Sequence, residues 1–389
     1  VNVNGVIYLD HLATTPCDPR VVEAMLPYFS ERFGNPSSAH HVLGRSAARA
    51  IDVAREQVAA LVDCVPEGVI FTSGATESNN LALFGVARGL GRHRRKIVTS
   101  AVEHKSVLLA AQQLAVEGWE VVILPVDGQG RVRLDAAQAA IDHYTLLVSV
   151  QAANNETGTI QPVAEIAALA HAAGALVHCD ATQMVGKLPF SMIDLDVDLV
   201  SMSGHKLYGP KGVGALCIAR TGVAQRLSPI LHGGGQENGL RAGTQNVAGI
   251  VGLGTACEIA AREMREEAVR VGQLRDELER RVLAGYPRAF VNGDRANRLP
   301  GASNVTLAGI DADELLANMP ELALSTTSAC VSGTQEPSHV LLAMGLSREL
   351  AYQSIRMSPG RFTTFDDIGR AADVIIQTAQ MLVAHAHAK

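Results

Sequence analysis

The 389-residue chain reads as an α/β protein: a mostly parallel seven-stranded sheet between helices, plus a smaller α+β domain. Three observations lead there. Short runs rich in β-branched residues ("VIFTS", "KIVTS", "EVVILP", "TLLVSVQ", "ALVHCDA") alternate from residue 69 with helical stretches at 76–90, 105–117 and 162–173. That alternation is the mark of parallel strands joined by crossover helices. Two further runs, "LVSMS" and "GALCIA", bring the strands to seven. A long helical stretch over 246–284, rich in Ala, Glu, Arg and Leu, is then followed by a different texture: "AFVNGD", "ASNVTLAG", "DADELLANM", "LALSTTSAC", "SHVLLAMG", "SIRMSPG" and a final helix. The expected division is a large domain over 15–265 and a small one made of 1–14 and 266–389. The boundary near 265 falls inside a continuous helix.

Composition narrows the function. With 47% hydrophobic and 19% charged residues and a net charge of −6, the chain is an ordinary globular one. Its charge favours neither nucleic acid nor an anionic membrane as a direct partner. The one basic run, "RHRRK" at 92–96, reads as a solvated loop. No apolar stretch reaches the roughly 18 residues of a membrane span. "VNVNGVIYLD" at the N-terminus lacks a signal-peptide pattern. The six cysteines are scattered with no C-x-x-C pair, so no metal site is expected, and a reducing, cytoplasmic setting fits. Cys179, Cys217 and Cys257 sit in apolar runs and read as packing residues.

The segment "SMSGHKLYGPKG" at 201–212 holds the first chemical clue. A phosphate-binding P-loop needs its glycines before the lysine and Ser or Thr after it. Lys206 is followed by Leu207, so nucleotide chemistry fits poorly. A lysine on a constrained turn suits a Schiff base to an aldehyde cofactor instead. Such a lysine must be deprotonated near neutral pH. Burial and a nearby cation both lower its pKa, and His205 is the expected cation. Lys211, in "GPKG", reads as a surface turn.

An aldehyde cofactor of the pyridoxal type needs more partners, and each has a candidate at a strand end. Asp180, closing "LVHCDA", would keep a ring nitrogen protonated; otherwise it is a helix N-cap. Gln183 follows three residues on and would bond a ring hydroxyl. "FTSGATESNN" offers strand, tight turn and helix, so the amides at Ala75 and Thr76 and the Thr76 hydroxyl would receive a phosphate. Its other reading is a plain capping sequence, with Thr76 or Ser73 satisfying those amides. His104, in "TSAVEHKS", follows the next strand, where an imidazole can stack on a ring and move protons.

These segments, with "YLDHLATTPCDPRV", "FGNPSSAHHVLGR", "NNETG", "HGGGQENGLRAGT", "STTSACVSG", "EPSHVL" and "SIRMSPGRFTT", resemble the cysteine desulfurases of the NifS/IscS type nearly end to end. These are class V aminotransferases of the pyridoxal 5'-phosphate-dependent transferase fold type I. The resemblance implies conversion of L-cysteine to L-alanine, with sulfur left as an enzyme persulfide for an acceptor protein, such as an iron–sulfur scaffold or a tRNA- or DNA-thiolation relay. It makes Lys206 the Schiff-base lysine and His104 the stacking residue and proton carrier. Asp180 and Gln183 become the ring contacts. Ala75, Thr76, Ser203 and His205 become the phosphate cradle, with Thr244 reaching over from a second subunit of a homodimer. Asn155 contacts cofactor or substrate, Arg356 clamps the substrate carboxylate, and Cys330 takes the sulfur.

Cys330 differs from the other five cysteines on its own residues. Small and polar neighbours, then Gly333 and Pro337, make its surroundings a loop, and a nearby cation such as His104 would favour its thiolate. Two positions depart from the family pattern: Thr327 stands where glycine is usual, and Gln236 where histidine is common. A selenocysteine lyase or another fold-type-I enzyme is the neighbouring reading. A non-catalytic assembly partner is a third, though it would have no need of Lys206, His104 and Cys330 together.

Overall fold

The computed structural model describes residues 2–3, 5–91, 93–219, 221–326, 329–331 and 334–387; of 2–3, 221, 329–331, 334–335 and 386–387 it describes the backbone alone. The seven expected runs are seven strands of one sheet. They are β1 (Val69–Thr72), β2 (Lys96–Ser100), β3 (Glu120–Leu124), β4 (Thr145–Ser149), β5 (Leu176–Asp180), β6 (Leu199–Ser203) and β7 (Gly214–Ile218). Their order across the sheet is β1-β7-β6-β5-β4-β2-β3. From β6 to β3 every pair is parallel; β7 runs antiparallel to both its neighbours. Helices α1 (Ala75–Leu90), α2 (Lys105–Val116) and α3 (Val163–Ala172) lie within a residue or two of their expected bounds.

The strands read as continuous apolar runs because both faces of the sheet are covered. Every residue of β1, β2, β4, β6 and β7 is buried, while β3, at the edge, is partly exposed. Side chains alternate between two cores. Phe71, Val98, Val148 and Val200 join a core with Ala54, Val58 and Ile166. Ile70, Ile97, Leu147 and Leu199 join another with Leu81, Val107 and Leu114.

A third core lies outside this sheet. Its helix α4 (Val247–Gly285) is 39 residues long, about 58 Å at 1.5 Å per residue. Leu253, Ala256 and Ala260 of α4 pack into the first core; Leu274, Leu278 and Val282 pack into the third. The antiparallel sheet there has the order β8 (Ala289–Asn292), β9 (Ser303–Leu307), β13 (Ser354–Met357), β10 (Ser325–Thr326). The final helix α5 (Phe365–His387) covers it through Ile368, Ala372 and Ile375. Ile7 and Leu9 belong to this third core too, and Val6–Tyr8 pairs in parallel with Leu322–Ala323. Between β10 and β13, β11 (Ala329–Val331) and β12 (Thr334–Glu336) form a two-stranded sheet of their own.

The basic run at 92–96 is only partly solvated: His93 and Arg95 are exposed, but Arg94 and Lys96 are not. Arg94 donates to the carbonyls of Ala173 and Gly174 past the end of α3, at 3.1 and 2.5 Å. Arg95 stacks over Trp119 at 5.1 Å, and Lys96 is buried against Asp142 at 3.0 Å. These cations satisfy carbonyls and carboxylates that only the fold brings near; Arg92 lies outside the described residues.

Candidate active site

A cavity of about 660 Å³ opens where β1, β2, β5 and β6 end. This is where open α/β sheets place their ligand sites, at the carboxyl ends of the strands. The expected residues on its wall are Ala75, Thr76 and His104; Asn155, Asp180 and Gln183; and Ser203, His205, Lys206 and Arg356. Lys211, read from the sequence as a surface turn, is exposed and also stands on this wall.

Lys206 ends a short 3-10 turn, Gly204–Lys206, that leaves β6. The segment is tight because its backbone is bound from two sides. Gly209 N–H and Leu207 N–H donate to the Gly204 carbonyl, and Thr15 donates to the His205 carbonyl through both N–H and Oγ1. Lys206 Nζ donates to the carbonyls of Leu12 and Ala13 at 2.6 and 2.7 Å. Burial, then the Arg356 charge, lower its pKa to about 8 against the pull of Asp10 and Asp180. The cation beside Lys206 is therefore Arg356. His205 does not supply it: burial and the charges of Lys206, Lys211 and Lys187 push its own pKa down to about 4, so it is neutral, with Nδ1 at 3.1 Å from Thr14 Oγ1.

Asp180 is buried at the end of β5. One oxygen accepts from the Thr182 N–H at 3.0 Å, as a capping residue would. The other accepts from Asn79 Nδ2 at 2.7 Å, and Asn79 in turn holds Ser106 at 2.8 Å. Asn79 fixes the carboxylate toward the cavity, a role its sequence context did not reveal. His104 is the N-cap of α2. Its Nδ1 accepts the Ser106 backbone N–H at 3.2 Å, so the neutral ring carries its proton on Nε2. Burial outweighs the attraction of Asp180, and the Lys206, His339 and Lys105 charges also lower its pKa. The expectation of a cationic His104 is thus corrected: it is a neutral imidazole near pH 7.

The start of α1 bears on the choice between cradle and cap. No side chain caps it: Gly74 is the N-cap, Thr72 Oγ1 serves Gly74 N–H, and Glu77 reaches back to Ser73 N–H at 2.8 Å. Ala75 and Thr76, the first helical residues, line the cavity, and the Thr76 side chain is exposed. Gly74 has φ 150°, and a Cβ on Gly214 of β7 would sit 2.7 Å from its Cα. Two glycines let the turn lie flat against the sheet and leave the helix start open.

Strand alternation aims Arg356. Ile355 and Met357 point into the third core, so Arg356 points the other way, into the cavity. It donates to Asp10 Oδ1 at 2.7 Å, Ser325 Oγ at 3.2 Å and the Asn155 carbonyl at 2.9 Å, while its buried Nε has no partner among the described residues. Asp10, from "YLDHL", went unnoticed in the sequence. It holds the guanidinium at one angle and leaves one N–H of Nη1 without a partner among the described residues.

Cys330 lies in β11 opposite Gln335, and its side chain is outside the described residues, as is Thr327 altogether. Thr244 is exposed on the segment before α4. Gln236 accepts the Gly243 N–H at 3.0 Å and so closes the turn that presents Thr244. Of the remaining cysteines, Cys179, Cys217 and Cys257 are buried as expected and burial helps raise their thiol pKa values; Cys17 and Cys64 are half-buried.

The profile of the family described as aminotransferase class-V matches residues 7–370. The chain belongs to that family. Among its class-V relatives, the cysteine desulfurase IscS of Anaeromyxobacter sp. (strain Fw109-5) is 46% identical over 376 residues, which cover 97% of this chain and 93% of the relative. A solved NifS-like protein superposes with a TM-score of 0.89 at 38% identity, covering 97% of this chain and 99% of the other. A structure described as SspA in complex with cysteine superposes with a TM-score of 0.80 at 35% identity over 92% and 99%. The class-V fold of this chain is therefore fold type I.

Proposed function

We propose that the protein is a pyridoxal 5'-phosphate-dependent cysteine desulfurase that converts L-cysteine to L-alanine and holds the sulfur as a persulfide on Cys330. One observation carries this reading: a single cavity joins a lysine of lowered proton affinity, a buried carboxylate and an open helix start. The full-length likeness to cysteine desulfurases supports it.

The residues present fit the cofactor. The amides at Ala75 and Thr76, with Ser203 and His205, would hold its phosphate at the positive end of α1. Asp180, set by Asn79, would hold the ring nitrogen protonated, and Gln183 would meet the ring oxygen. Lys206 would carry the aldehyde carbon. Bound there, the cofactor supplies an electron sink for the bonds at the substrate α-carbon. The chain's residues do the rest. Arg356 and Asn155 orient the substrate carboxylate. Lys206, once displaced, is a base able to move the α-proton near neutral pH. His104 covers the ring and donates from Nε2. The Cys330 thiolate attacks the substrate sulfur. The S–S bond forms as Cβ–S breaks, the electron pair stays on Cβ, and a proton completes alanine, so no outside oxidant or reductant is needed.

With this reading go three others: a homodimer in which Thr244 reaches the partner's phosphate site, a cytoplasmic setting, and an acceptor protein that collects the sulfur for iron–sulfur assembly or thiolation. Among the described residues no helix is long and apolar enough to cross a membrane. We also propose the division into a large domain over 15–265 and a small one over 1–14 and 266–389, on the ground that α4 changes cores between Ala260 and Leu274. The test is one turnover with L-cysteine, followed by peptide mass mapping. Alanine should appear with one persulfide, on Cys330. A persulfide mainly on another cysteine would remove Cys330 from the reaction, and no alanine would remove the function.

A further inference from the structure

Behind the main cavity lies a second, smaller one of about 30 Å³, and Leu12 stands in the wall of both. Lys187 lines the rear cavity together with His11, Tyr208 and Glu267. From there it reaches through to Gln183. Its Nζ donates to the Gln183 carbonyl at 3.0 Å and to Gln183 Oε1 at 2.9 Å. On the other side, Gln183 Nε2 donates to the Leu12 carbonyl at 2.9 Å, the same carbonyl that accepts from Lys206.

We infer that Lys187 is a positioning residue, which locks the Gln183 amide so that its remaining N–H is presented to the ligand in the main cavity. The inference rests on the cofactor reading given above. The argument is one of hydrogen-bond polarity. An amide side chain is nearly symmetric in shape, and its orientation is set by its neighbours. Here both neighbours have a fixed sense: a carbonyl oxygen only accepts, and an ammonium only donates. Turning the amide over would set oxygen against the Leu12 carbonyl and NH2 against Lys187, which loses two bonds and creates two repulsions. One N–H of Nε2 is used by Leu12; the other has no protein partner among the described residues, and Gln183 is on the cavity wall. That N–H suits an anionic oxygen, such as the ring oxygen of a pyridoxal cofactor.

When neutral, Lys187 still has two N–H groups to give to Gln183, and the Leu12 carbonyl, which only accepts, then fixes the sense of the amide. Burial and the Lys206 charge lower the Lys187 pKa to about 7, with Glu267 opposing. The charges that act most on Lys206 itself are those of Arg356, Asp10 and Asp180, all of which remain in a Lys187 variant.

The experiment is a pH titration of the visible absorption of holoprotein reconstituted with pyridoxal 5'-phosphate. It compares wild type, Lys187→Met, Gln183→Ala and the double variant. Losing a hydrogen bond to the anionic ring oxygen should raise the midpoint by about one pH unit, the equivalent of a single charge-assisted bond. Lys187→Met and Gln183→Ala should each show that rise, and the double variant should rise no further than either alone. Lys187→Arg, which still donates to Oε1, should keep the wild-type midpoint. If Lys187→Met does not fold, Lys187→Ala carries the same expectation. An unchanged midpoint in the Lys187 variants, or additive rises in the double variant, overturns the inference while leaving the cofactor reading intact. A wild-type protein with no such absorption, or one that keeps it after Lys206→Ala, overturns both.

Discussion

Lys206 stands at the end of β6, a strand bonded on both sides inside a seven-stranded sheet, and its turn is tied down by Thr15 and Gly209. Cys330 stands on β11, which pairs with β12 and, among the described residues, with no strand of either larger sheet. Both are proposed to form covalent bonds in one reaction, yet the fold places them in opposite settings. A group that holds the cofactor must not move, and the sheet supplies that through shared ladders. A group that takes sulfur inside and delivers it outside must travel, and a ribbon paired only with itself suits that task. Two-stranded ribbons draw little stability from their own ladder.

The sharpest way to break this comparison is to remove each residue in turn. Lys206→Ala should abolish turnover and the yellow colour of the holoprotein together. Normal turnover in that variant would take Lys206 out of the chemistry. Cys330→Ala should keep the colour and its change on adding L-cysteine, but release no alanine, since no thiol remains to accept sulfur. Alanine release at the wild-type rate would take Cys330 out of the sulfur transfer. A smaller effect is expected behind the ring. Asp180→Ala, at saturating cofactor, should slow α-proton loss by roughly 10- to 100-fold, the worth of one hydrogen bond to a charged group. Full rescue by excess cofactor would reduce Asp180 to a binding residue.

The smallest effect concerns stability. His11, His178 and His205 are held neutral, each with a pKa lowered to about 4 and with burial as the largest cause. Below the ordinary histidine value of 6.5 the unfolded chain takes up protons that these sites refuse. Their contribution is therefore complete above about pH 6.5 and is lost as pH falls toward 4. Asp18, whose carboxyl is held well below the ordinary range by Arg20 and Arg361, adds its loss only in stronger acid. A melting temperature that falls between pH 6.5 and 4 is expected. A flat one over that window would mean that these histidines titrate freely or that the buried carboxyls of Glu103 and Glu156, raised by desolvation and opposite in sign, cancel them.

What the sequence revealed follows from what a one-dimensional string can encode. The strands of the large sheet are buried on both faces and so appear as unbroken apolar runs, which fixed β2 and β6 to the residue. Lys206, Asp180 and His104 were legible because each follows such a run. The residues that set them were not. Asn79 reaches Asp180 across 101 positions, and Asp10 reaches Arg356 across 346. Leu12 acts through its carbonyl, which no side-chain letter records. Charge states were misread for the same reason: burial, together with the charges of lysines that the fold brings near, makes His104 and His205 neutral. Arg94 looked solvated because the carbonyls it serves end a helix some eighty residues away.

The thread of residues 9–15 has one more consequence, for how the protein is made. Leu12 and Ala13 hold Lys206, Asp10 holds Arg356, and Leu9 accepts the Ser358 N–H at 2.6 Å. The segment 9–13 is therefore locked between Lys206 and the residues 356–358, far on either side of one another in sequence. Contacts at such separation close late, because each must first overcome the entropy of a very long loop. On the ribosome the seven strands can emerge and pair while Arg356 and Ser358 are still unmade, so the pocket stays unfinished until β13 and the residue after it have been made. Uptake of the cofactor would then mark the end of assembly and select for chains that have closed this last circuit.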